Sequence, residues 1–159
     1  MQPLAENLYF LDITCAMAIV GQMYPELNAL SNAYAVDMAI QHESARIVVV
    51  RFGLPDTAAC AEMDELLAET MVRLSRMAIF YTVDRNVVSG FDELYELEDD
   101  DFALLFYYRG RRMQCDFGRF GKYKLTVVPP STDTFIDVIS ELYYNAQLGR
   151  FSCTSPWQP

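Results

Sequence analysis

The sequence contains 159 residues, about the length of one domain with a single hydrophobic core. Hydrophobic residues make up 52% of it and charged residues 21%, so the composition excludes an intrinsically disordered chain. Twelve basic and 22 acidic residues give a net charge of −10, which argues against broad, non-specific binding of polyanions. No apolar run approaches the roughly 18 residues of a transmembrane helix, so we expect no membrane partner.

The cysteine and histidine content argues against a metal site. The four cysteines, Cys15, Cys60, Cys115 and Cys153, share no CxxC spacing, and His42 is the only histidine. A structural zinc site needs about four clustered thiolate or imidazole ligands, so we predict no metal and no other cofactor. Free thiols in a reducing compartment are the simplest interpretation of the cysteines.

Sequence patterns divide the chain into three parts. Residues 1–22 carry apolar runs without clear helix caps, and Met23 is a sensible alternative start, so we treat 1–22 as an N-terminal extension. Residues 23–149 form the regular domain, and residues 150–159 are expected to be a C-terminal tail.

The regular domain begins with a helix and a buried strand. Ser31 or Asn32 can cap the helix, which is expected to end near His42. The β-branched run at 47–50 predicts a strand that is buried on both faces. A turn at 55–57 then starts a second helix, in which apolar side chains recur at helical spacing as far as Leu74.

A second buried strand follows at 78–83, and a short helix is predicted at 91–97. Leu94 and Leu97 would lie on one side of that helix. The acidic run that comes next, at 98–101, lacks the alternating ligands and the glycine of a calcium loop, so we interpret it as a solvated turn.

The last predicted elements are a β-hairpin and a helix. Residues 102–108 form a third apolar strand, which turns through Arg109-Gly110 into a strand at 111–117. Ser131 or Thr132 caps the final helix, which ends at Gly149. The element order predicts an α/β, thioredoxin-like fold, in which helices flank a sheet with a parallel portion and an antiparallel hairpin.

Short sequence pieces, in order and at near-constant spacing, point to one family. They are Val36-Asp37, Ala39-Ile40, Arg51-Phe52-Gly53, Cys60, Met63-Asp64-Glu65, Val83-Asp84, Tyr95-Glu96-Leu97, Asp116, Gly118 and Lys124. With them, residues 27–150 resemble the DIM family, the thioredoxin-like small component of the spliceosomal U-five small nuclear ribonucleoprotein (snRNP). The chain departs from that family at 119–123, where a Gly-Asn-rich loop is expected, at Pro129-Pro130 and in the tail from Phe151, and residues 1–22 have no counterpart in the family pattern.

This resemblance implies a non-catalytic component of the U-five snRNP and of the tri-snRNP, located in the nucleus. It implies that the protein acts in pre-mRNA splicing by docking spliceosomal scaffold proteins near the 5′ splice site. This implication rests on the residues that match the family's motifs. The loops that depart from the family pattern argue against the same loop-mediated contacts, but they argue less strongly against the same fold.

The residues themselves argue against redox catalysis. A thioredoxin-type enzyme needs an attacking cysteine at the start of a helix, but Thr57 takes that place and Cys60 the resolving position. Arg51 stands where thioredoxins carry an acid, and Phe102 where they present a cis-proline. We therefore predict no enzyme, and a degenerate redox motif in which Cys60 is a small buried hydrophobe. The alternative is a monothiol redox sensor or glutathione-linked thiol protein that uses Cys60 or Cys115.

Arg51 directly follows the buried run 47–50, so it is expected to be structural and paired. Asp37, Asp84 and Glu62 are the candidate partners.

Half of the basic residues fall within 16 positions, 109–124. This window has a net charge of +5 and leaves −15 for the rest of the chain. Basic and aromatic side chains in a hairpin and loop can contact phosphates and stack on a base, so contact with pre-mRNA or snRNA is one hypothesis. An acidic protein partner and simple protection of a sheet edge are the alternatives. The candidate binding residues are Arg109, Arg111, Arg112, Arg119, Phe120, Lys122, Tyr123 and Lys124.

Overall fold

The computed structural model describes residues 26–159, so the extension predicted at 1–22 lies outside the described residues. The described part contains six strands and three α-helices. The strands are β1 (Asn28–Ala29), β2 (Ile47–Gly53), β3 (Ala78–Asp84), β4 (Phe102–Tyr108), β5 (Arg111–Asp116) and β6 (Ser152–Thr154). The helices are α1 (Ala33–His42), α2 (Ala58–Thr70) and α3 (Thr132–Gln147), with one 3₁₀ turn at Gly118–Phe120.

The six strands form one mixed sheet in the order β1-β3-β2-β4-β5-β6. Strands β2 and β3 are parallel, with Ile47 opposite Ala78, because helix α2 returns the chain across the sheet between them. Strand β4 runs antiparallel to β2 and to β5. The parallel portion followed by an antiparallel hairpin confirms the thioredoxin-like architecture.

Polar caps fix where two helices begin. The Asn32 side chain accepts a hydrogen bond from the backbone N–H of Ala35, and the Ser131 hydroxyl accepts one from Thr134. Each cap satisfies a backbone N–H group that the first turn leaves free. The hairpin turn between β4 and β5 has positive φ at Arg109 (51°) and Gly110 (78°), the combination that a two-residue turn requires.

The core is divided by the sheet into two layers. On one face, α2 and α3 pack against alternate residues of β2, β4 and β5. On the other face, α1 and the irregular segment 85–101 cover Val48, Val50 and Phe52 of β2. Strand β2 is buried along its whole length, as the sequence predicts, because both layers contact it.

The short helix predicted at 91–97 is wrong. The segment forms successive turns, and Glu96 has a φ of 54°, which a continuing right-handed helix does not permit. The buried Arg85 guanidinium holds the segment instead, through the Asp92 carboxylate at 2.9 Å and the Asp100 carbonyl at 2.7 Å. Leu94 is 66% exposed, so it does not share a buried side with Leu97.

The segment 150–159, expected to be a tail, contributes strand β6 to the sheet. Its ladder runs parallel to β5, with Cys153 opposite Cys115. The side-chain amide of Gln158 also donates to the carbonyl of Asp116 at 2.9 Å. Since β6 pairs with residues 114–116 of β5, the predicted edge of the basic hairpin is partly covered.

Candidate functional site

The structure places the degenerate redox motif at the start of helix α2. Thr57 precedes the first helical residue, and its hydroxyl donates to the carbonyl of Leu54 at 2.7 Å. The alcohol occupies the position of an attacking thiolate, and an alcohol cannot exchange with a disulfide.

Cys60 lies one turn further along α2 and is fully buried. Burial raises the pKa of its thiol to about 11, although the nearby Arg51 guanidinium acts in the opposite direction. A methyl group placed on Gly53 would come within 2.6 Å of the Cys60 sulfur, so the thiol packs directly against strand β2. This thiol is a packing group, and the geometry does not favour the monothiol alternative.

Arg51 is buried and paired, as predicted, but its partner is Asp64. The Nε and Nη2 groups of Arg51 donate to the two carboxylate oxygens of Asp64, each at 2.7 Å, and Nη1 donates to the carbonyl of Val83 at 3.2 Å. Asp64 follows Cys60 by one helical turn and so shares its inward face, whereas Glu62 is exposed. The three proposed partners, Asp37, Asp84 and Glu62, are therefore wrong.

The basic hairpin divides its cations between the two faces of the sheet. Arg111 and Arg112 are neighbours on β5, so their side chains point in opposite directions. The Arg111 guanidinium lies over the ring of Phe151, 3.9 Å from its centroid. Arg112 lies over the ring of Tyr95 at 4.9 Å, on the face that carries α1.

On the Arg112 side, the hairpin, the following loop and the segment around Tyr95 enclose a groove of about 330 Å³. We call this the basic-aromatic groove. It is lined by Leu94, Tyr95, Glu96, Arg112, Phe120, Gly121, Lys122, Tyr123 and Lys124. The structure thus brings together five of the eight predicted binding residues.

Arg112 organises the groove. Its guanidinium lies between the rings of Tyr95 and Tyr123, 4.9 and 5.5 Å from their centroids, and Nη2 donates to the Tyr123 carbonyl at 2.9 Å. Its Nε is buried and has no hydrogen-bond partner among the residues that the structure describes. Beneath Tyr95, the Tyr107 hydroxyl donates to the Tyr95 hydroxyl at 2.8 Å, and burial raises the pKa of Tyr107 above its ordinary value.

Lys124 closes one side of the groove and has a structural role. Its ammonium group pairs with the Asp100 carboxylate at 2.6 Å and also donates to the carbonyls of Tyr95 and Glu96. These contacts within the chain already neutralise and saturate the Lys124 ammonium group. Lys122, by contrast, is exposed, and its single ion pair within residues 26–159 is a long contact of 3.9 Å with Asp116, so it can meet an anion.

Three predicted binding residues lie outside the groove. Arg109 donates to the carbonyl of Ser44 at 3.1 Å, Arg111 stacks on Phe151, and Arg119 lies over Phe120. Sequence reasoning in turn missed Leu94, Tyr95 and Glu96, which precede the hairpin along the chain. The piece Tyr95-Glu96-Leu97 carried part of the family resemblance and was the available signal.

Two further observations concern residues 26–159. Within this range no three His, Cys, Asp or Glu side chains are placed to share a metal ion. The same residues contain no helix with the length and apolar character needed to cross a bilayer.

Comparison with known families decides the membership of the chain. The family model described as mitosis protein DIM1 matches residues 26–159. The chain belongs to the DIM1 family. Spliceosomal protein DIB1 of Saccharomyces cerevisiae is 35% identical over 131 residues, which cover 82% of this chain and 91% of the yeast protein. Mitosis protein dim1 of Schizosaccharomyces pombe is 32% identical over 127 residues, covering 80% and 89%.

Solved structures agree with the DIM1-family fold. The thioredoxin of Fasciola hepatica superposes with a TM-score of 0.57 and covers 72% of this chain and 97% of its own. The two sequences are only 13% identical, so this likeness concerns the fold alone.

Proposed function

We propose that this chain is a non-catalytic component of the spliceosome that acts in pre-mRNA splicing. The observation that carries the proposal is membership of the DIM1 family over residues 26–159, together with a yeast relative named a spliceosomal protein. A nuclear location follows from that role.

The absence of catalysis is supported by the redox position itself. With an alcohol at Thr57 and a buried thiol at Cys60, the start of helix α2 has no attacking group at the position that thioredoxin-type enzymes use. The protein would act by presenting rigid surfaces, with affinity that arises from contact area and charge.

The finer assignment is that the protein resides in the U-five snRNP and the tri-snRNP and docks scaffold proteins near the 5′ splice site. Its support is the family resemblance carried by pieces such as Arg51-Phe52-Gly53 and Met63-Asp64-Glu65, which lie in the fold rather than in the divergent loop 119–123.

We further propose that the basic-aromatic groove contacts single-stranded RNA. Tyr123 is 56% exposed and offers a ring for base stacking, while Lys122 offers an exposed cation on a chain whose net charge is −10. Arg112 holds the Tyr123 ring in place by stacking under it. A stacking surface beside a cation is the arrangement that recognises an unpaired nucleotide.

The first experiment tests the spliceosomal role. The tagged full chain is purified from native extract of the cells that express it, and the associated RNA and proteins are identified against a tagged thioredoxin of equal size. We expect small nuclear RNAs and splicing proteins to be enriched. A chain recovered alone, or with partners unrelated to splicing, would contradict the role.

The second experiment tests the groove with a matched pair of variants. Lys122 and Arg119 are both exposed cations near the same loop, but only Lys122 lines the groove. Binding of a fluorescent single-stranded RNA is measured over a range of salt concentrations. Lys122→Ala should lower the salt slope by about one unit, and Arg119→Ala should leave it unchanged. Tyr123→Leu should weaken binding by about 1–3 kcal/mol through lost stacking.

Equal slopes for the two cation variants would refute the groove as the RNA contact. If Lys122→Ala instead loses a protein from the purified complex while RNA recovery is unchanged, the partner of the groove is an acidic protein.

A further inference from the structure

Two cysteines lie directly opposite each other at the end of the sheet. Cys115 of β5 and Cys153 of β6 are register partners in a parallel ladder. The ladder is held on both sides of the pair, because Gln114 donates to the Phe151 carbonyl and Ser155 to the Asp116 carbonyl, each at 2.9 Å. Register partners on adjacent strands point to the same face, so the two thiols meet.

The spacing of the strands suits a covalent bond between these residues. Paired residues of adjacent strands have backbones about 4.7–4.9 Å apart, and a disulfide requires Cα atoms roughly 4.4–6.8 Å apart. The two cysteines therefore need no rearrangement of the sheet to reach each other. Cys60 has no such neighbour among the free cysteines of residues 26–159, since it faces Gly53 from helix α2.

The two thiols differ in burial and acidity. Cys115 is 1% exposed, whereas Cys153 is only half-buried. A hydrogen bond from the Cys115 thiol lowers the pKa of Cys153, and the same bond together with burial raises the pKa of Cys115. Cys153 is thus the thiol that ionises first.

A small reagent can also reach Cys153. The residue is only half-buried and lies in β6, the last strand of the sheet, which has no further strand beside it in the described residues. Glutathione disulfide, a small anionic molecule, is an oxidant of the required class.

We propose that Cys115 and Cys153 are a redox modification site that forms a reversible disulfide by exchange with glutathione disulfide. The Cys153 thiolate attacks one sulfur of the oxidant, so that a mixed disulfide forms and one glutathione thiolate leaves. The Cys115 sulfur then attacks the Cys153 sulfur, its proton passes to solvent, and the second glutathione thiolate leaves. The two cysteines lose two electrons and two protons, and one glutathione disulfide becomes two glutathione thiols.

The bond would join the three-residue strand β6 to β5 and close a loop that contains helix α3. Closing a loop reduces the entropy of the unfolded chain, so the oxidised form should be the more stable one. It would also add a covalent link to the C-terminal segment, which is already held by hydrogen bonds to β5 and by packing of Phe151 and Trp157 against the core.

The experiment uses the full chain with Cys15→Ser and Cys60→Ala, which leaves only the two paired thiols. The protein is equilibrated with mixtures of reduced and oxidised glutathione, trapped with acid, digested and analysed by mass spectrometry. We expect a peptide that links Cys115 to Cys153, has lost two hydrogens and is released by dithiothreitol. The melting temperature of the oxidised form should be higher by about 5–15 °C.

The control variant is Cys153→Ser, which changes only a half-buried position and leaves the buried Cys115 in place. It should show neither the linked peptide nor the rise in melting temperature. Glutathione that remains attached to Cys153 in the parent, or two thiols that stay reduced at every ratio, would overturn the proposal. The wild-type chain provides a second check, because a linkage through Cys60 in place of Cys153 would also overturn it.

Discussion

For the ion pair of Arg51 and Asp64, we predict that replacing one member destabilises the protein more than replacing the other. The Arg51 side chain is 4% exposed and that of Asp64 is 30% exposed, so the two members differ in their access to water. Arg51→Met removes three hydrogen bonds but leaves a carboxylate that water can partly solvate. Asp64→Asn removes the negative charge that compensates a guanidinium only 4% exposed to water, although the Asn amide oxygen can still accept one hydrogen bond.

The magnitudes follow from that difference. Removing one partner of a fully buried pair costs about 3–5 kcal/mol, because the other charge stays buried and unpaired. We expect Asp64→Asn to fall in that range and Arg51→Met to cost about 2–4 kcal/mol, since partial hydration of the remaining carboxylate lowers the penalty. For a chain of this length the melting temperature falls by about 2–4 °C for each kcal/mol.

Urea-induced unfolding, followed by circular dichroism at a fixed pH, measures both single variants and the double variant R51M/D64N. The double variant removes both charges and should cost less than the sum of the two single variants, because no uncompensated charge is left in the buried site. Unchanged stability of Arg51→Met would refute a structural role for the pair. A larger loss for Arg51→Met than for Asp64→Asn would refute the burial argument.

Thiol chemistry, packing and the Lys124 ion pair give further predictions. The chain should not catalyse insulin reduction above background, and Cys60 should react with a thiol reagent only after unfolding. The pKa of the Cys60 thiol is raised from 9.0 to about 11 in the folded protein, so the unfolded chain loses the thiol proton at lower pH than the folded chain does. The free energy of unfolding, measured with urea, should therefore fall between pH 9 and 11. Cys60→Ala should flatten the pH profile of stability over this range. Gly53→Ala should cost about 1–3 kcal/mol by urea unfolding, because its new methyl group would meet the Cys60 sulfur at 2.6 Å, and adding Cys60→Ala should return part of the loss. Lys124→Met should cost about 1–3 kcal/mol in the same assay, whereas Lys122→Met should cost less than about 0.5 kcal/mol.

Each of these predictions has a contradicting outcome. Insulin reduction that is abolished by Cys60→Ser would restore a redox role. A pH profile that Cys60→Ala leaves unchanged would remove the thiol as its cause. Additive effects of Gly53→Ala and Cys60→Ala would show that the two groups do not touch, and equal losses for the two lysine variants would show that the Lys124 ion pair contributes nothing.

Local patterns were sufficient for most of the fold. The β-branched run 47–50 and the capped, periodic sequence of helix α3 carry their structure within a few neighbouring residues. The segment 91–97 also has helical spacing, but Arg85 binds its Asp92 and imposes turns, which a local pattern does not record. Strand β6 is too short and polar to produce a pattern at all.

The candidate site was only partly predictable for the same reason. The charged window 109–124 located the hairpin, but side chains alternate along a strand, so Arg111 and Arg112 lie on opposite faces of the sheet. The net charge counted along the sequence is therefore larger than the charge that one partner can contact on one face. The other side of the groove comes from Tyr95, whose position depends on tertiary packing. The partner of Arg51 likewise depended on the phase of helix α2, which Cys60 sets by packing against the sheet.

The two layers of the core differ in the length of their helices, and this difference has a consequence for their dynamics. The layer of α2 and α3 rests on 13- and 16-residue helices, whereas the opposite layer has the 10-residue α1 and the turns of 85–101. Short helices and turns open at lower free energy than long packed helices, so backbone amides on the α1 side should exchange their hydrogens sooner. The basic-aromatic groove lies on that side. A partner that fills it would suppress these local openings, and the slowed exchange of residues around Tyr95 would report its binding even where the average structure does not change.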